Sequence, residues 1–458
     1  MLSNIIALCV LFTSTVVSQD STSPNAPSPA QASPAYLSDI PIPQGVVLEY
    51  PRDEDVQWGD LPPIPDIDLS GYPARGELPS TDNPEVQNAM NYIDWTYVPL
   101  VDPREVVNWV VDTSQYDIAS DPYCWWSASI CKRPKLEYLP EDIYYCPNAG
   151  DWGLNYDDGP FKLLDRDHPD REWEQPRFYN SLVKYNKQKA TLFFVGANVV
   201  SFPEAAQRAL NDGHTICSHT WSHPYMTSLT NEQVVAQFYW TQKAIKQVLG
   251  ITPKCWRPPF GDVDDRVRAI AWQMGMRTIL WDQDSNDWNM PGTAGLGHIS
   301  PDTVNGFFQA WVDKRVSGND NEHGHITLQH ENSNSTVAMS EKWLPELQSV
   351  FNVIPIHQCI NDPSPYWEES FIYPTLDNPF PDQLELSANN NNQTKTQVTR
   401  DLSDGPNAAI RIGANTDADA VLNIVQETSV HTSDASFLPF YTSTLVCIMI
   451  MVITILIA

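Results

Sequence analysis

Between residues 146 and 360, short apolar runs alternate with amphipathic stretches. Residues 190–200 (A-T-L-F-F-V-G-A-N-V-V) form a nearly unbroken apolar run, which predicts a buried strand. Further strands are predicted at 214–218, 277–281 and 325–329, and helices at 203–212, 230–249 and 263–274. Gly213 and Gly250 end two of these helices, and Thr230 with Gln233 forms a capping box. This alternation predicts an α/β fold of parallel strands covered by helices, either a barrel or a doubly wound sheet.

The two flanks lack this periodicity. There are 13 prolines between residues 19 and 84, which predicts an extended segment that buries little surface. Residues from 361 to about 434 are rich in Ser, Thr, Asn and Asp and predict a glycosylated stalk. We therefore divide the chain into a Pro-rich extension (19–123), a folded domain (124–360) and a stalk (361–435).

Both ends of the chain have the form of targeting signals. An apolar run followed by small residues up to Ser18 is typical of a secretory signal peptide (1–18), although no basic residue precedes it. Small residues at Ser433, a polar spacer and an apolar tail predict a GPI-anchor signal (436–458) with attachment at Ser433. The alternative is a transmembrane helix, but the apolar tail of 14 residues is shorter than the ~20 that a span needs. We expect a secreted protein, anchored at the outer face of the plasma membrane or in the cell wall.

Charge and cysteine content agree with that location. The formal charge of −30 argues against nucleic acid and anionic membranes as partners, and favours neutral or cationic material. The sequons at Asn334 and Asn392 fit a secreted glycoprotein. Six cysteines lie outside the two predicted signals. Six cysteines allow 15 pairings, but the spacing favours Cys124–Cys131 and Cys146–Cys359. We predict Cys217–Cys255 as the third disulfide, and a monomeric chain.

Candidate chemistry begins where strands end. Asp157-Asp158-Gly159-Pro160 is a good turn, which accounts for Asp158 but not for a second adjacent carboxylate. His219 and His223 are spaced to bind one metal ion, and a carboxylate such as Asp158 would complete a two-His, one-acid site.

Three further segments carry polar residues after predicted strands. Arg257-Pro258-Pro259-Phe260 is a rigid loop in which Phe260 has the first backbone N–H after the arginine. Asp284-Ser285-Asn286-Asp287-Trp288 reads as a polar turn, and Leu328-Gln329-His330 places a histidine after a strand. Each segment taken alone has a structural explanation.

Together, the order D-D-G-P, H-T-x-x-H, R-x-P-F, D-S-x-D-W and L-x-H resembles the polysaccharide deacetylase family of carbohydrate esterases (the NodB homology domain). The flanking signals are similar to those of fungal, GPI-anchored chitin deacetylases. The resemblance implies a distorted (β/α) barrel and a divalent metal, zinc or alternatively cobalt. The chain departs from the family's first motif, which commonly opens with Thr-Phe where this chain has Asn155-Tyr156.

The resemblance also implies a role for each residue. Asp157 would be the general base, with Arg257 holding it ionised, and His330 the general acid, tuned by Asp287. The metal ligands would be Asp158, His219 and His223. The N–H of Phe260 would bind the oxyanion, and the substrate pocket would include Trp288 and Leu328.

The implied function is metal-dependent hydrolysis of N-acetyl groups of chitin, which gives chitosan and acetate. A deacetylase of chitin oligomers or of another acetylated glycan remains an alternative, as does a catalytically silent wall glycoprotein on the same fold. A barrel glycosidase needs two carboxylates that flank a glycosidic bond, which adjacent Asp157 and Asp158 do not suit.

Overall fold

The computed structural model describes residues 28–51, 56, 58–161, 175–291, 297–381, 398–399 and 411–412. The strands are β1 (Val106–Val107), β2 (Val110–Val111), β3 (Asp151–Asp157), β4 (Thr191–Phe194), β5 (Thr215–Ser218), β6 (Cys255–Trp256), β7 (Arg277–Thr278), β8 (Gln283–Asp284), β9 (His325–Leu328), β10 (Asn352–Pro355), β11 (Val398–Thr399) and β12 (Arg411–Ile412). The α-helices are α1 (Pro84–Met90), α2 (Trp126–Ser129), α3 (Gln175–Lys184), α4 (Gly196–Ser201), α5 (Pro203–Asn211), α6 (Asn231–Leu249), α7 (Asp265–Gln273), α8 (Pro301–Val316), α9 (Asn334–Val350) and α10 (Ile356–Cys359).

Several predicted features lie outside the described residues: the signal peptide, Asn392, Ser433 and the C-terminal apolar tail. Within the described ranges, no helix has both the length and the apolar character required to cross a bilayer.

Eight parallel strands form the central sheet. Their order is β7-β6-β5-β4-β3-β9-β8, and β10 pairs with the first half of β3. Helices connect the strands that follow one another in the chain, except β7 and β8, which form the two edges of the sheet. The sheet curls into an incomplete barrel, which confirms the predicted (β/α) barrel. The carboxyl ends of the strands meet at one edge, which is where barrel folds place their chemistry.

The prediction of one strand over residues 190–200 was wrong in its second half. The strand β4 ends at Phe194, and Gly196 begins the buried helix α4. An apolar run does not by itself distinguish a buried strand from a buried helix. Here the packing of Gly196 against α6 decides between a strand and a helix, because a Cβ on Gly196 would lie 2.8 Å from the Cα of Thr241.

The helix ends follow the sequence signals closely. Thr230 and Gln233 form the predicted capping box at the start of α6, and Gly250 ends that helix with a φ of 73°. Gly213 follows α5 with a φ of 84°. These ends were predictable because they satisfy the unpaired backbone groups of a helix locally.

The Pro-rich extension buries more surface than its composition led us to expect. Leu37, Val86 and Ala89 are buried within the main hydrophobic core. Tyr36 donates a hydrogen bond to Gln242 in α6, and the Tyr72 ring stacks on Trp221 at 5.6 Å. Scattered apolar residues without periodicity can bury well when an already folded surface receives them.

The predicted stalk also begins later than residue 361. Tyr366, Phe371 and Tyr373 are buried in the core. Ile216 in β5 donates its N–H to the Tyr366 hydroxyl at 2.8 Å, and Tyr373 donates to the carbonyl of His214. The folded unit therefore continues past the predicted boundary.

The structure joins the same three cysteine pairs that we predicted. The Cα–Cα distances are 5.0 Å for Cys124–Cys131, 5.4 Å for Cys146–Cys359 and 5.1 Å for Cys217–Cys255. The second pair fastens the segment before β3 to α10 and so links the two ends of the barrel.

Candidate active site

The predicted site residues gather at the carboxyl edge of the sheet. Asp157 is the last residue of β3, while His219 follows β5 and Arg257 follows β6 directly. His330 lies just beyond β9 and forms a parallel bridge with Asp157. Segments more than 170 residues apart in the chain, from Asp157 to His330, therefore contribute to one site.

Asp158, His219 and His223 form a cluster with the spacing of metal ligands. The Nε2 atoms of His219 and His223 lie 3.5 and 3.3 Å from Oδ1 of Asp158. Two ligand atoms at about 2.0–2.1 Å from a tetrahedral ion lie about 3.4 Å apart. Both carboxylate–imidazole distances therefore match those of two ligands on one ion.

The hydrogen bonds around this cluster leave the ligand atoms available. Nδ1 of His219 lies 2.9 Å from the carbonyl oxygen of Arg257. Because a carbonyl only accepts, Nδ1 carries the proton and the Nε2 lone pair is free for a metal. Oδ1 of Asp158 is buried and has no hydrogen-bond partner among the described residues. A buried oxygen of this kind points to a cation.

The charge states fit a metal site as well. Although burial opposes ionisation, His223, His219 and His330 hold the pKa of Asp158 well below its usual range. Burial lowers the pKa of His223 to about 4, against the attraction of Asp158. At neutral pH the carboxylate is ionised and the His223 imidazole is neutral, which are the forms that bind metals.

Arg257 fixes the other aspartate. The guanidinium is completely buried, and its Nη1 donates to Oδ1 of Asp157 at 2.8 Å. The same Nη1 donates to Oδ1 of Asn155 at 2.6 Å, and the guanidinium lies 4.0 Å above the ring centroid of Phe193. The cation thus holds Asp157 in one orientation, with Oδ2 3.8 Å from Nε2 of His219.

Asp287 holds His330 in a comparable way. One carboxylate oxygen lies 2.6 Å from Nδ1 of His330, and the other accepts the backbone N–H of His330 at 2.9 Å. Burial opposes the charged imidazolium, but Asp287, with Asp158 and Asp157, raises the pKa of His330 to about 10. His330 is therefore a protonated donor at neutral pH.

Phe260, Trp288 and Leu328 occupy different positions around this centre. Phe260 follows two prolines, has a φ of 58° and keeps 53% of its surface exposed beside His223. The ring of Trp288 is 43% exposed. Leu328 is nearly buried at the end of β9, where its carbonyl accepts a hydrogen bond from Ser285.

Sequence reasoning missed two asparagines. Asn155 was noted only as a departure from the family's first motif, but it accepts a hydrogen bond from Arg257 and so orients it directly. Asn332 donates to Oδ2 of Asp158 at 2.6 Å, which leaves Oδ1 to face the histidines. Neither belongs to a metal-binding spacing, so only their tertiary contacts reveal them.

Asn334 lies outside this centre. It begins α9, and its Oδ1 accepts a hydrogen bond from Arg177. Its glycosylation stays a prediction.

The chain resembles known deacetylases in sequence. Residues 145–279 match the family described as polysaccharide deacetylase. A chitin deacetylase of Amylomyces rouxii is 38% identical over 66% of this chain and 69% of its own length. Chitin deacetylase 2 of Cryptococcus neoformans var. grubii is 38% identical over 69% of this chain and 63% of its own length.

One solved structure is similar over half of the chain. It is the chitin deacetylase of the fungal pathogen Colletotrichum lindemuthianum, 24% identical, which covers 50% of this chain and 98% of its own, with a TM-score of 0.42. The sequence matches and the intact set of motifs lead to one assignment: this chain is a member of the polysaccharide deacetylase family.

Proposed function

We propose that this protein is a chitin deacetylase, which hydrolyses the N-acetyl groups of N-acetylglucosamine units and gives chitosan and acetate. One observation carries the proposal: Asp158, His219 and His223 form a metal-ligand cluster beside the Asp157–Arg257 pair. The fungal relatives named above support chitin as the substrate. The negative net charge suits a neutral polymer and its cationic product.

Asp157 is the general base in this proposal. Oδ1 is held by Arg257, so Oδ2 is the atom that accepts the proton of the attacking water. Because the pair is buried, the carboxylate is oriented before substrate arrives.

His330 is the general acid. Its imidazolium, held by Asp287, donates a proton to the amine nitrogen as the C–N bond of the amide breaks. The backbone N–H of Phe260 donates to the oxygen that becomes negative in the transition state, and Trp288 lines the acetyl pocket. Leu328, the last residue of β9, lines the substrate pocket in this proposal.

Asp158, His219 and His223 would hold the divalent ion, which we propose to be zinc, with cobalt as the alternative. When bound, the ion supplies a Lewis acid that polarises the acetamide carbonyl and makes water acidic enough to attack at neutral pH.

The test is acetate release from chitin oligomers of increasing length and from polymeric chitin. We expect release to stop with a chelator, to return with zinc or cobalt, and to fall at least about 10³-fold in Asp158→Ala. Asp302→Asn, which changes an exposed carboxylate in α8, is the matched control and should retain activity. Absence of release from every substrate under all metal conditions would refute the proposal.

We further propose that the protein acts as a secreted, GPI-anchored monomer. The three disulfides support an oxidising compartment. Release of the protein from intact cells by a phosphatidylinositol-specific phospholipase tests the anchor, and retention after treatment would argue against it.

A further inference from the structure

An apolar hairpin projects from the protein surface between α1 and α2. It consists of β1, β2 and the turn Asn108-Trp109, and its sequence is V-V-N-W-V-V. Trp109 is 92% exposed, and Val107 and Val110 are 49% and 58% exposed. Burial within the chain therefore does not explain why these residues are apolar, and contiguous exposed apolar surface is typical of binding sites.

The turn is strained in a way that folding does not require. Asn108 and Trp109 have φ values of 51° and 68°. A two-residue turn with both φ values positive favours Asn followed by Gly, because the second position disfavours a β-carbon. A bulky, fully exposed aromatic at that position costs stability and returns no packing. Strain of this kind is concentrated at functional positions.

The base of the hairpin is fastened to one side of the active site. The N–H of Arg104 donates to the carbonyl of Thr227 at 2.9 Å. The side chain of Thr227 in turn donates to Asp262 at 2.8 Å. Thr227 follows the segment that carries His223, and Asp262 follows the one that carries Phe260.

A second set of contacts ties the hairpin base to the same segments. The Arg104 guanidinium lies 4.5 Å above the Trp125 ring centroid, and Trp125 donates its indole N–H to Asp262 at 2.9 Å. The hairpin, residues 104–112, is therefore held in a defined position relative to the site, and we name it the rim hairpin.

Aromatic side chains also lie beside the catalytic centre. The Tyr225 ring stacks on Phe260 with centroids 4.2 Å apart, and Phe260 contacts His223. From Arg104 to Trp109 the hairpin extends five residues, about 16 Å at roughly 3.3 Å per residue. A polymer that runs from Phe260 toward the hairpin tip would meet Trp109 several sugar units away from the site.

We propose that the rim hairpin is a second binding site for the substrate polymer, in which the Trp109 ring stacks on the apolar face of a sugar unit distant from the one hydrolysed. This inference rests on the proposed function. Asp102, Glu105 and Asp112, at or next to the base of the rim hairpin, are acidic, which favours a neutral or partly deacetylated, cationic glycan. The same charges would repel an anionic membrane and a second copy of the hairpin.

The variant Trp109→Gly in the full chain separates binding from folding. It removes the ring and creates the Asn-Gly turn that this geometry favours, so thermal stability should be equal or higher. Trp58→Ala is the matched control, because Trp58 is also exposed, at 64%, but lies beside α3.

We expect Trp109→Gly to bind insoluble chitin about fivefold more weakly than wild type. Its kcat/KM should fall similarly on the polymer and stay unchanged on the soluble dimer of N-acetylglucosamine, which is too short to reach the hairpin. Trp58→Ala should match wild type in every assay.

Binding is also measured in an Asp157→Asn background, so that the outcome does not depend on activity. If the Asp157→Asn protein releases no acetate, and adding Trp109→Gly to it still weakens chitin binding, the hairpin binds chitin whatever reaction the site catalyses. Equal chitin binding by wild type and Trp109→Gly would overturn the inference. The inference would also be overturned if Trp109→Gly kept its chitin binding but lost a dimer that wild type forms. The same holds if it kept its chitin binding but lost a binding to phosphatidylcholine vesicles that wild type shows.

Discussion

At the scale of single residues, the two adjacent aspartates have opposite surroundings. Asp157 faces Arg257 at 2.8 Å, and Asp158 faces two imidazole nitrogens at 3.3 and 3.5 Å. A cation pairs with one carboxylate, and the histidine cluster prepares the other for a metal ion. The two carboxylates therefore differ in role: Arg257 neutralises one, and a bound cation would neutralise the other.

Asn332 should determine how tightly the metal is bound. It donates to Oδ2 of Asp158, so Asn332→Leu would free the carboxylate to rotate away from the histidines. We expect zinc affinity, measured by titration calorimetry, to fall about 10–100-fold. Activity should return at saturating zinc. Unchanged affinity, or activity that zinc does not restore, would contradict this positioning role.

Asp287 should determine the alkaline limit of activity. The pKa of His330 is raised to about 10. The charged imidazolium therefore stabilises the folded protein fully below about pH 6.5, and this stabilisation is lost as the pH rises through about 10. Asp287→Asn removes the main attraction for the imidazolium. The alkaline limb of kcat/KM should therefore move at least about one pH unit lower, while Asp302→Asn leaves it in place. An unshifted limb would exclude His330 as the acid.

At the scale of elements, the strands β3 and β9 and the helix α10 depend on a long-range covalent link. Cys146–Cys359 closes a loop with a sequence separation of 213, whereas Cys124–Cys131 closes one of 7. A longer closed loop removes more entropy from the unfolded chain.

Replacing Cys146 and Cys359 by serine should therefore cost more stability than replacing Cys124 and Cys131. We expect a loss of about 5 kcal/mol against about 2.5 kcal/mol. Denaturant unfolding of the two double variants under identical conditions measures the difference. The reverse order would show that local geometry outweighs loop length.

At the scale of the whole molecule, the barrel is completed by chain on both sides of the motifs. The residues after 360 bury Tyr366, Phe371 and Tyr373, and the extension buries Leu37 and Val86. The five motifs identify the chemistry, but a chain cut at their edges would expose apolar surface.

Two truncations test this larger folded unit. A chain of residues 20–381 should unfold at the same temperature as one of residues 20–432. A chain of residues 20–360 loses three buried aromatic side chains, worth about 6 kcal/mol. Its thermal midpoint should fall by about 10 °C or more. Equal midpoints for all three chains would restore the predicted boundary at 360.

The sequence by itself determined what depends on short-range patterns. The capping box at Thr230, the helix ends at Gly213 and Gly250 and the order of the five motifs were all readable, because each is a local arrangement of a few residues. The spacing of His219 and His223 was readable for the same reason.

Only the tertiary structure decided where distant segments meet. It turned residues 196–201 into a helix against α6, aimed Asn155 and Asn332 at charged partners, and set the rim hairpin beside the active site. Packing and long-range hydrogen bonds determine these features, and the hydrogen bonds of the two asparagines join residues more than 100 positions apart in the chain. No local period records such a contact, so it appears only once the chain is folded.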